Sequence, residues 1–124
     1  METVYTKKAP DAVGPYSQAK ICGNLVFLSG QIAIDPATNT VVATTTEEHT
    51  EQICKNIMAV LEAAGTSIEN VVKTTCFLAD MADFAAFNEV YAKYFTSKPA
   101  RSCVAAKALP KGVLAEIEAI AEIV

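Results

Sequence analysis

The chain has 124 residues, of which 52% are hydrophobic and 19% charged, and its formal net charge is −4. One histidine, His49, cannot form a multi-histidine metal site, and an acidic chain without a basic stripe is not typical of a nucleic-acid-binding protein. We expect one domain covering residues 1–124, and its high apolar fraction favours cover by another subunit.

No apolar run is long enough to span a membrane, and residues 1–8 lack the apolar core of a signal peptide. We therefore expect a cytoplasmic protein, although these residues do not exclude an organellar address on a longer precursor. The cysteines, which lack any Cys-x-x-Cys spacing, are Cys22, Cys54, Cys76 and Cys103. They allow two disulfides, but in a cytosolic chain we expect small reduced core residues.

The first half of the chain predicts an irregular arm, two strands and a helix. The arm covers residues 1–15, and strands are predicted over 16–22 and 25–31. The Gly23-Asn24 pair between those strands is a hairpin signal. After a turn and a short strand at 41–42, the next segment predicts a helix.

The first helix has clear signals at both ends. Thr45 followed by Glu48 fits a capping box, and Gly65 is a natural C-terminal stop. Between them, Ile53, Ile57 and Leu61 recur at helical spacing, so one face is apolar. His49 is interpreted as a surface residue of this helix.

The second half predicts a strand, a helix and two further strands. The strand covers 71–78, where β-branched residues are frequent. Asp80 or Asp83 begins the helix, and Pro99 ends it. The inner stripe of this helix consists of Phe84, Phe87, Tyr91 and Tyr94. The last strands are predicted over 100–106 and 114–124, with a turn at 109–112.

This order of elements predicts an α+β fold in which two helices cover one face of a mixed sheet. The last strand alternates, with Ile117, Ala119, Ala121 and Ile123 on one face. The other face carries Leu114, Glu116, Glu118, Ile120 and Glu122. Both an exposed sheet face and a subunit interface containing a polar site fit that mixture.

Arg101 is the only arginine beside nine lysines. Its planar fork of donors binds a carboxylate through two parallel hydrogen bonds, so it is a candidate for binding an anionic substrate. The alternative is a structural ion pair with Glu116 or Glu118 on a neighbouring strand.

Glu116 and Glu118 are two residues apart on a strand and therefore share a face. Paired carboxylates raise each other's pKa and can handle protons, although a solvated pair is the commoner case. Weaker candidates are Tyr16, the Ser29-Gly30 segment and Asn88, with Gly30 allowing a ligand to approach the main chain.

Several motifs together carry a family resemblance. They include Gly14-Pro15-Tyr16-Ser17-Gln18-Ala19, Ser29-Gly30-Gln31-Ile32, Asn88-Glu89-Val90-Tyr91, Pro99-Ala100-Arg101-Ser102-Cys103-Val104, Leu109-Pro110-Lys111-Gly112 and Glu116-Ile117-Glu118-Ala119-Ile120-Ala121. In this order they resemble the reactive-intermediate deaminase (Rid) family, in its 2-iminobutanoate/2-iminopropanoate deaminase branch. The resemblance implies a chorismate-mutase-like (ferredoxin-like) fold and a homotrimer with clefts between subunits.

The resemblance also implies roles for individual residues. Arg101 would bind the substrate carboxylate, and Glu116 would position a water. The residues that would line the cleft are Tyr16, Ser29, Gly30, Asn88 and Cys103, the last mainly through its backbone. Neither a cofactor nor a metal is implied, and the expected partner is a small imino or oxo acid.

The implied activity is hydrolytic deamination of reactive 2-imino and enamine acids, which limits metabolite damage. The alternatives are a non-catalytic metabolite-binding or chaperone-like trimer, and an endoribonuclease. Only Thr96-Ser97-Lys98 separates Phe95 from Pro99, where members of this branch usually carry a longer loop, often with an aromatic residue before the proline. This difference leaves the substrate range open.

Overall fold

The structure, a computed structural model, describes all 124 residues. It contains eight strands and two α-helices: β1 (Glu2–Val4), β2 (Ala19–Cys22), β3 (Leu25–Gln31), β4 (Ile34–Asp35), β5 (Thr40–Val41), α1 (Thr46–Ala64), β6 (Val71–Leu78), α2 (Phe84–Tyr94), β7 (Ala100–Ala105) and β8 (Ala115–Glu122). Six strands form a sheet in the order β1-β2-β3-β8-β6-β7, and β4 pairs with β5. Only β6 and β7 are parallel neighbours, so the sheet is mixed, as predicted.

The N-terminal arm is more ordered than predicted. Residues 2–4 form β1, which pairs antiparallel with β2 at the edge of the sheet. The buried side chain of Gln18 holds the arm, because its Oε1 accepts the Thr6 N–H at 2.7 Å and its Nε2 donates to the Pro10 carbonyl at 2.9 Å. The next strand starts only at Ala19, so Tyr16 lies in the segment that precedes it.

The Gly23-Asn24 hairpin is confirmed, since Cys22 pairs directly with Leu25. Only the first of the two loop residues, Gly23, has a positive φ (62°), which matches a type II′ turn.

Helix α1 has the predicted capping at both ends. The Thr45 hydroxyl accepts the Glu48 N–H, the Glu48 carboxylate accepts the Thr45 N–H, and Gly65 ends the helix at φ 89°. The prediction for His49 is wrong: it lies four residues before buried Ile53 and is itself only 4% exposed. Residues four apart share a helix face, so His49 faces the sheet, where its Nδ1 accepts the Leu114 N–H at 3.4 Å.

Helix α2 begins at Phe84 after one 3-10 turn, and the Asp80 carboxylate caps that turn by accepting the Ala82 N–H at 2.9 Å. It ends at Tyr94, several residues before Pro99, so the proline does not terminate it. Neither α1 nor α2 is long and apolar enough to cross a membrane.

Both helices cover the same face of the sheet. On β8 that face is buried and consists of Ala115, Ile117, Ala119 and Ala121. The alternate residues are half-buried or exposed, and they are Glu116, Glu118, Ile120 and Glu122. On the same open face Phe27 of β3 lies opposite Ile120 and is 42% exposed. The predicted mixture of acidic and apolar side chains therefore lies on a sheet face that this chain leaves uncovered.

All four cysteines are free. Cys54 and Cys76 are buried as predicted, and Cys103 is half-buried. Cys22 is exposed, contrary to the prediction, because it is the last residue of β2 before the hairpin turn.

Candidate active site

Arg101 lies on β7, where its Cα pairs with that of Thr74 on β6. Thr74 is fully buried beneath α2, so Arg101 shares the helix-covered side of the sheet. Its Nη1 donates to Oδ1 of Asn88 at 2.7 Å, and its guanidinium carbon lies 4.8 Å from the centre of the Tyr91 ring and 5.5 Å from that of Phe84. Helix α2 thus fixes the guanidinium plane while using one of its five N–H donors.

The alternative in which Arg101 pairs with Glu116 or Glu118 is not what the structure shows. In the strand register, Arg101 of β7 pairs with Thr74 of β6. On the other side of β6, Glu118 of β8 pairs with Thr75, and Glu116 pairs with Phe77. Thr75 and Phe77 lie one and three residues from Thr74, so their side chains project from the opposite face of the sheet. Both glutamates are therefore separated from Arg101 by the sheet itself.

The Arg101 side chain lines a cavity of about 330 Å³, which we call the arginine pocket. Its lining residues are Asn88, Tyr91, Ala92, Phe95, Thr96, Lys98, Pro99 and Arg101. This set contains two of the predicted site residues, Asn88 and Arg101. Sequence reasoning missed Lys98 as a pocket residue; the lysine directly before Pro99 was the available signal.

Glu116 lines a second cavity, of about 490 Å³, which we call the glutamate cleft. Its walls include the predicted residues Tyr16, Ser29 and Gly30, together with Lys111 of the turn before β8. Ser29 is held in place because its Oγ donates to the Ser17 carbonyl at 2.6 Å. The structure therefore brings four predicted residues together here and Asn88 and Arg101 together in the arginine pocket.

The Glu116 side chain lies so close to the backbone of Gly30 that a larger residue at position 30 would clash with it. The register between β3 and β8 shifts between Leu28 and Gln31, which is a bulge-like irregularity. At Gly30 an added Cβ would lie 2.9 Å from Cδ of Glu116 and closer still to its Oε2. The group that lies against the main chain at Gly30 is the Glu116 carboxylate. The approach of a ligand at Gly30 stays a prediction.

The environment of Glu116 favours its protonated form. Burial raises the pKa of the Glu116 carboxyl, and the neighbouring Glu118 carboxylate raises it further. A carboxyl with a raised pKa in a cleft is suited to accepting and returning a proton.

Cys103 lies on the arginine side of the sheet, with its Cα paired to that of Cys76. Burial raises the pKa of the Cys103 thiol, while Arg101 acts in the opposite direction. Because the thiolate is the nucleophilic form, this environment disfavours nucleophilic chemistry at Cys103. Its backbone contacts to a substrate stay a prediction.

A family model described as Endoribonuclease L-PSP matches residues 6–123. The chain belongs to this family. The family includes the RutC and Rid proteins, so the predicted membership of the Rid family is confirmed. A RutC family protein of Pyrococcus horikoshii is 54% identical over 121 residues, which make up 97% of this chain and 96% of that protein.

Three further members of the L-PSP/Rid family carry informative names. Reactive Intermediate Deaminase A, a chloroplastic protein of Arabidopsis thaliana, is 51% identical over 97% of this chain and 65% of its own length. The structure of E. coli TdcF with bound serine is 40% identical, with a TM-score of 0.94 over 98% of both chains. The structure of RidA from a Psychrobacter species is 45% identical, with a TM-score of 0.95 over 99% of this chain and 100% of that one.

Proposed function

We propose that this protein hydrolyses reactive 2-imino acids and their enamines, such as 2-iminobutanoate and 2-iminopropanoate, to 2-oxo acids and ammonia. The observation that carries the proposal is the presence of a preoriented arginine and a carboxyl with a raised pKa, each in its own cavity. The name of the Arabidopsis relative and the serine bound to TdcF support a deaminase acting on a ligand of amino-acid size.

The reaction needs both cavities, so we propose that it takes place between subunits of a homotrimer. One chain holds Arg101 and Glu116 on opposite faces of its sheet. In the trimer, the arginine pocket of one subunit lies against the glutamate cleft of the next, so that the two subunits together form one complete site. The open sheet face supports such an interface, because its side chains include Phe27 at 42% and Val104 at 49% exposure.

Arg101 binds the substrate carboxylate in this scheme. The remaining N–H groups of its guanidinium form two parallel bonds to the two carboxylate oxygens. Asn88 and the Tyr91 ring hold the guanidinium in place before the substrate arrives, so little side-chain entropy is lost on binding. The carboxylate is thereby fixed and the adjacent imine carbon is directed toward the cleft.

Glu116 activates the water that attacks the imine carbon. The ionised carboxylate accepts a proton from the water as the water oxygen bonds to the carbon of the protonated imine. The C=N π electrons move to nitrogen and give a neutral carbinolamine. Glu116 returns its proton to the amino nitrogen, the C–N bond breaks with its electrons going to nitrogen, and the hydroxyl proton passes to the departing ammonia as the carbonyl of the 2-oxo acid forms. Ammonia leaves as ammonium, and no electrons enter or leave the system, so the chain's own residues suffice for this scheme.

Two competing functions predict different behaviour. A non-catalytic metabolite-binding or chaperone-like trimer would bind acids in the arginine pocket without accelerating their formation. The family description names an endoribonuclease, but the net charge of −4 and the single arginine disfavour binding along a phosphate backbone.

The test couples a threonine dehydratase to this protein and measures 2-oxobutanoate formation above the spontaneous rate. We expect acceleration by the wild type and a loss of about two orders of magnitude in Arg101→Ala. Each hydrogen bond to a charged group contributes about 1.5–3 kcal/mol, and about 1.4 kcal/mol corresponds to tenfold. Lys55→Ala, which removes an exposed charge from α1, is the matched control.

Light scattering then separates catalysis from assembly. The wild type and Arg101→Ala should both show three times the chain mass of 13.2 kDa. No acceleration by the wild type would overturn the enzyme assignment, and full activity in Arg101→Ala would overturn the role of Arg101. A monomeric wild type that is fully active would overturn the intersubunit site.

A further inference from the structure

We infer that Lys98 adapts the arginine pocket to substrates with a second acidic group, so that dicarboxylic 2-imino acids are a preferred class. This inference rests on the proposed function. Its basis is that the pocket contains two cations, Arg101 and Lys98, and no carboxylate. In a chain with a net charge of −4, such a local excess of positive charge matches an anionic ligand.

The backbone at Lys98 is unusual for a lysine. Its φ is 55°, in the left-handed region, and its N–H donates to the Phe95 carbonyl at 3.1 Å, which closes a four-residue turn. Glycine is favoured at the last position of such a turn and at positive φ. Pro99 follows directly and further restricts the conformation of the residue before it. A long charged side chain at a position that suits glycine points to a function for that side chain.

Both ends of the turn are anchored, so Lys98 cannot relax by moving the loop. Phe95 is 2% exposed and its ring stacks on Tyr91 with 4.3 Å between centroids. At the other end, Ala100 begins β7 and pairs with Lys73 of β6. The connection between α2 and β7 therefore holds Lys98 at the wall of the arginine pocket.

The two cations differ in depth. Arg101 is half-buried and held by Asn88, whereas Lys98 is exposed. The carboxylate next to the imine carbon therefore binds to Arg101, and the side-chain carboxylate of the substrate reaches Lys98 nearer the rim. Because a lysine is a flexible point charge, it accepts side-chain carboxylates of more than one length.

The experiment compares kcat/KM for 2-iminosuccinate, generated from aspartate by an oxidase, with kcat/KM for 2-iminobutanoate. Lys98→Asn removes the charge but keeps a residue that tolerates the left-handed conformation, and Lys98→Arg keeps the charge. We expect Lys98→Asn to lower the ratio of the two constants about fivefold, the upper effect of one solvent-exposed ion pair. Lys98→Arg and the surface control Lys55→Asn should retain the ratio within about twofold.

Binding of the 2-oxo acid products, with oxaloacetate freshly prepared, gives a second readout that does not depend on catalysis. Calorimetry should show that oxaloacetate binds more tightly than 2-oxobutanoate, and that Lys98→Asn removes this preference. Added salt should weaken the preference, since Lys98 is exposed.

The outcomes separate the two proposals. If the wild type binds both acids with the expected preference but hydrolyses neither imine, the proposed function fails and the role of Lys98 stands. If 2-iminobutanoate is hydrolysed but Lys98→Asn changes neither ratio, the role of Lys98 is refuted alone. Equal losses for both ligands in Lys98→Asn would also refute it, because they would indicate a merely structural residue.

Discussion

Replacing Gly30 with alanine adds one methyl group where the Glu116 side chain lies. The backbone of Gly30 is outside the left-handed region, so alanine is compatible with its conformation. The new Cβ would lie 2.9 Å from Cδ of Glu116, whereas ordinary contacts begin near 3.4 Å. Because Glu116 is half-buried and its side chain is flexible, the carboxyl group moves rather than the sheet.

The magnitude follows from that displacement. Relieving the clash moves the carboxylate by about 1 Å, and a misplacement of about 1 Å in a catalytic group costs about 100-fold in rate. The free energy of unfolding should change by less than about 1 kcal/mol, because the displaced atoms are the end of one side chain. We therefore expect Gly30→Ala to lower kcat about 100-fold in a protein of nearly normal stability.

The assay is the dehydratase-coupled measurement combined with a double-mutant cycle. Gly30→Ala is compared in the wild-type background and in Glu116→Gln. If Gly30 acts by positioning the Glu116 carboxylate, its substitution should have little further effect once that carboxylate is gone. Additive losses in the cycle, or a wild-type kcat in Gly30→Ala, would contradict this role of Gly30.

Gly23→Ala is the matched glycine control. Gly23 has φ 62° and no atom within 4 Å of an added Cβ, so alanine there meets strain without a clash. It should lower stability by about 1–2 kcal/mol and leave kcat unchanged. Gly30→Ala should therefore lower kcat and leave the stability nearly unchanged, whereas Gly23→Ala should lower the stability and leave kcat unchanged.

Two further predictions concern stability. Because the pKa of Glu116 is raised, the folded protein binds the proton of this carboxyl group more tightly than the unfolded chain does. Ionisation of Glu116 therefore destabilises the fold as pH rises through the folded-state pKa. Glu116→Gln should therefore raise Tm at pH 7, with the gain vanishing at pH 4, and a pH-independent gain would contradict this. Thr45→Ala removes the hydroxyl that accepts the Glu48 N–H at 3.1 Å and should cost about 1 kcal/mol in urea unfolding, whereas Thr45→Ser should cost far less.

The elements of this fold could be predicted well from local patterns. The strands β3 and β6 have the predicted bounds, and α1 begins and ends at the predicted cap residues. These signals are local because turns, caps and apolar periodicity depend on residues a few positions apart. The alternation in β8 also predicted which of its faces is buried.

Other features depended on contacts between distant segments. Residues 2–4 of the arm form a strand because they pair with the edge of β2. His49 is buried because its face of α1 packs toward the residues before β8. The strand before the Gly23-Asn24 turn was predicted to start at Tyr16, yet it begins only at Ala19. Such outcomes follow from tertiary pairing, which local propensity does not encode.

Local patterns in the chain were enough to predict a lone arginine at a strand start, two glutamates on one strand face, and two helices on one side of a sheet. Which residues meet depended on the tertiary structure, which brings Arg101 to Asn88 and Glu116 to Gly30. This dependence follows from strand register. A sequence pattern specifies the faces of one strand, but the alignment of β7 and β8 on β6 is set by packing all the elements together, and it placed the arginine and the glutamate on opposite sides of the sheet.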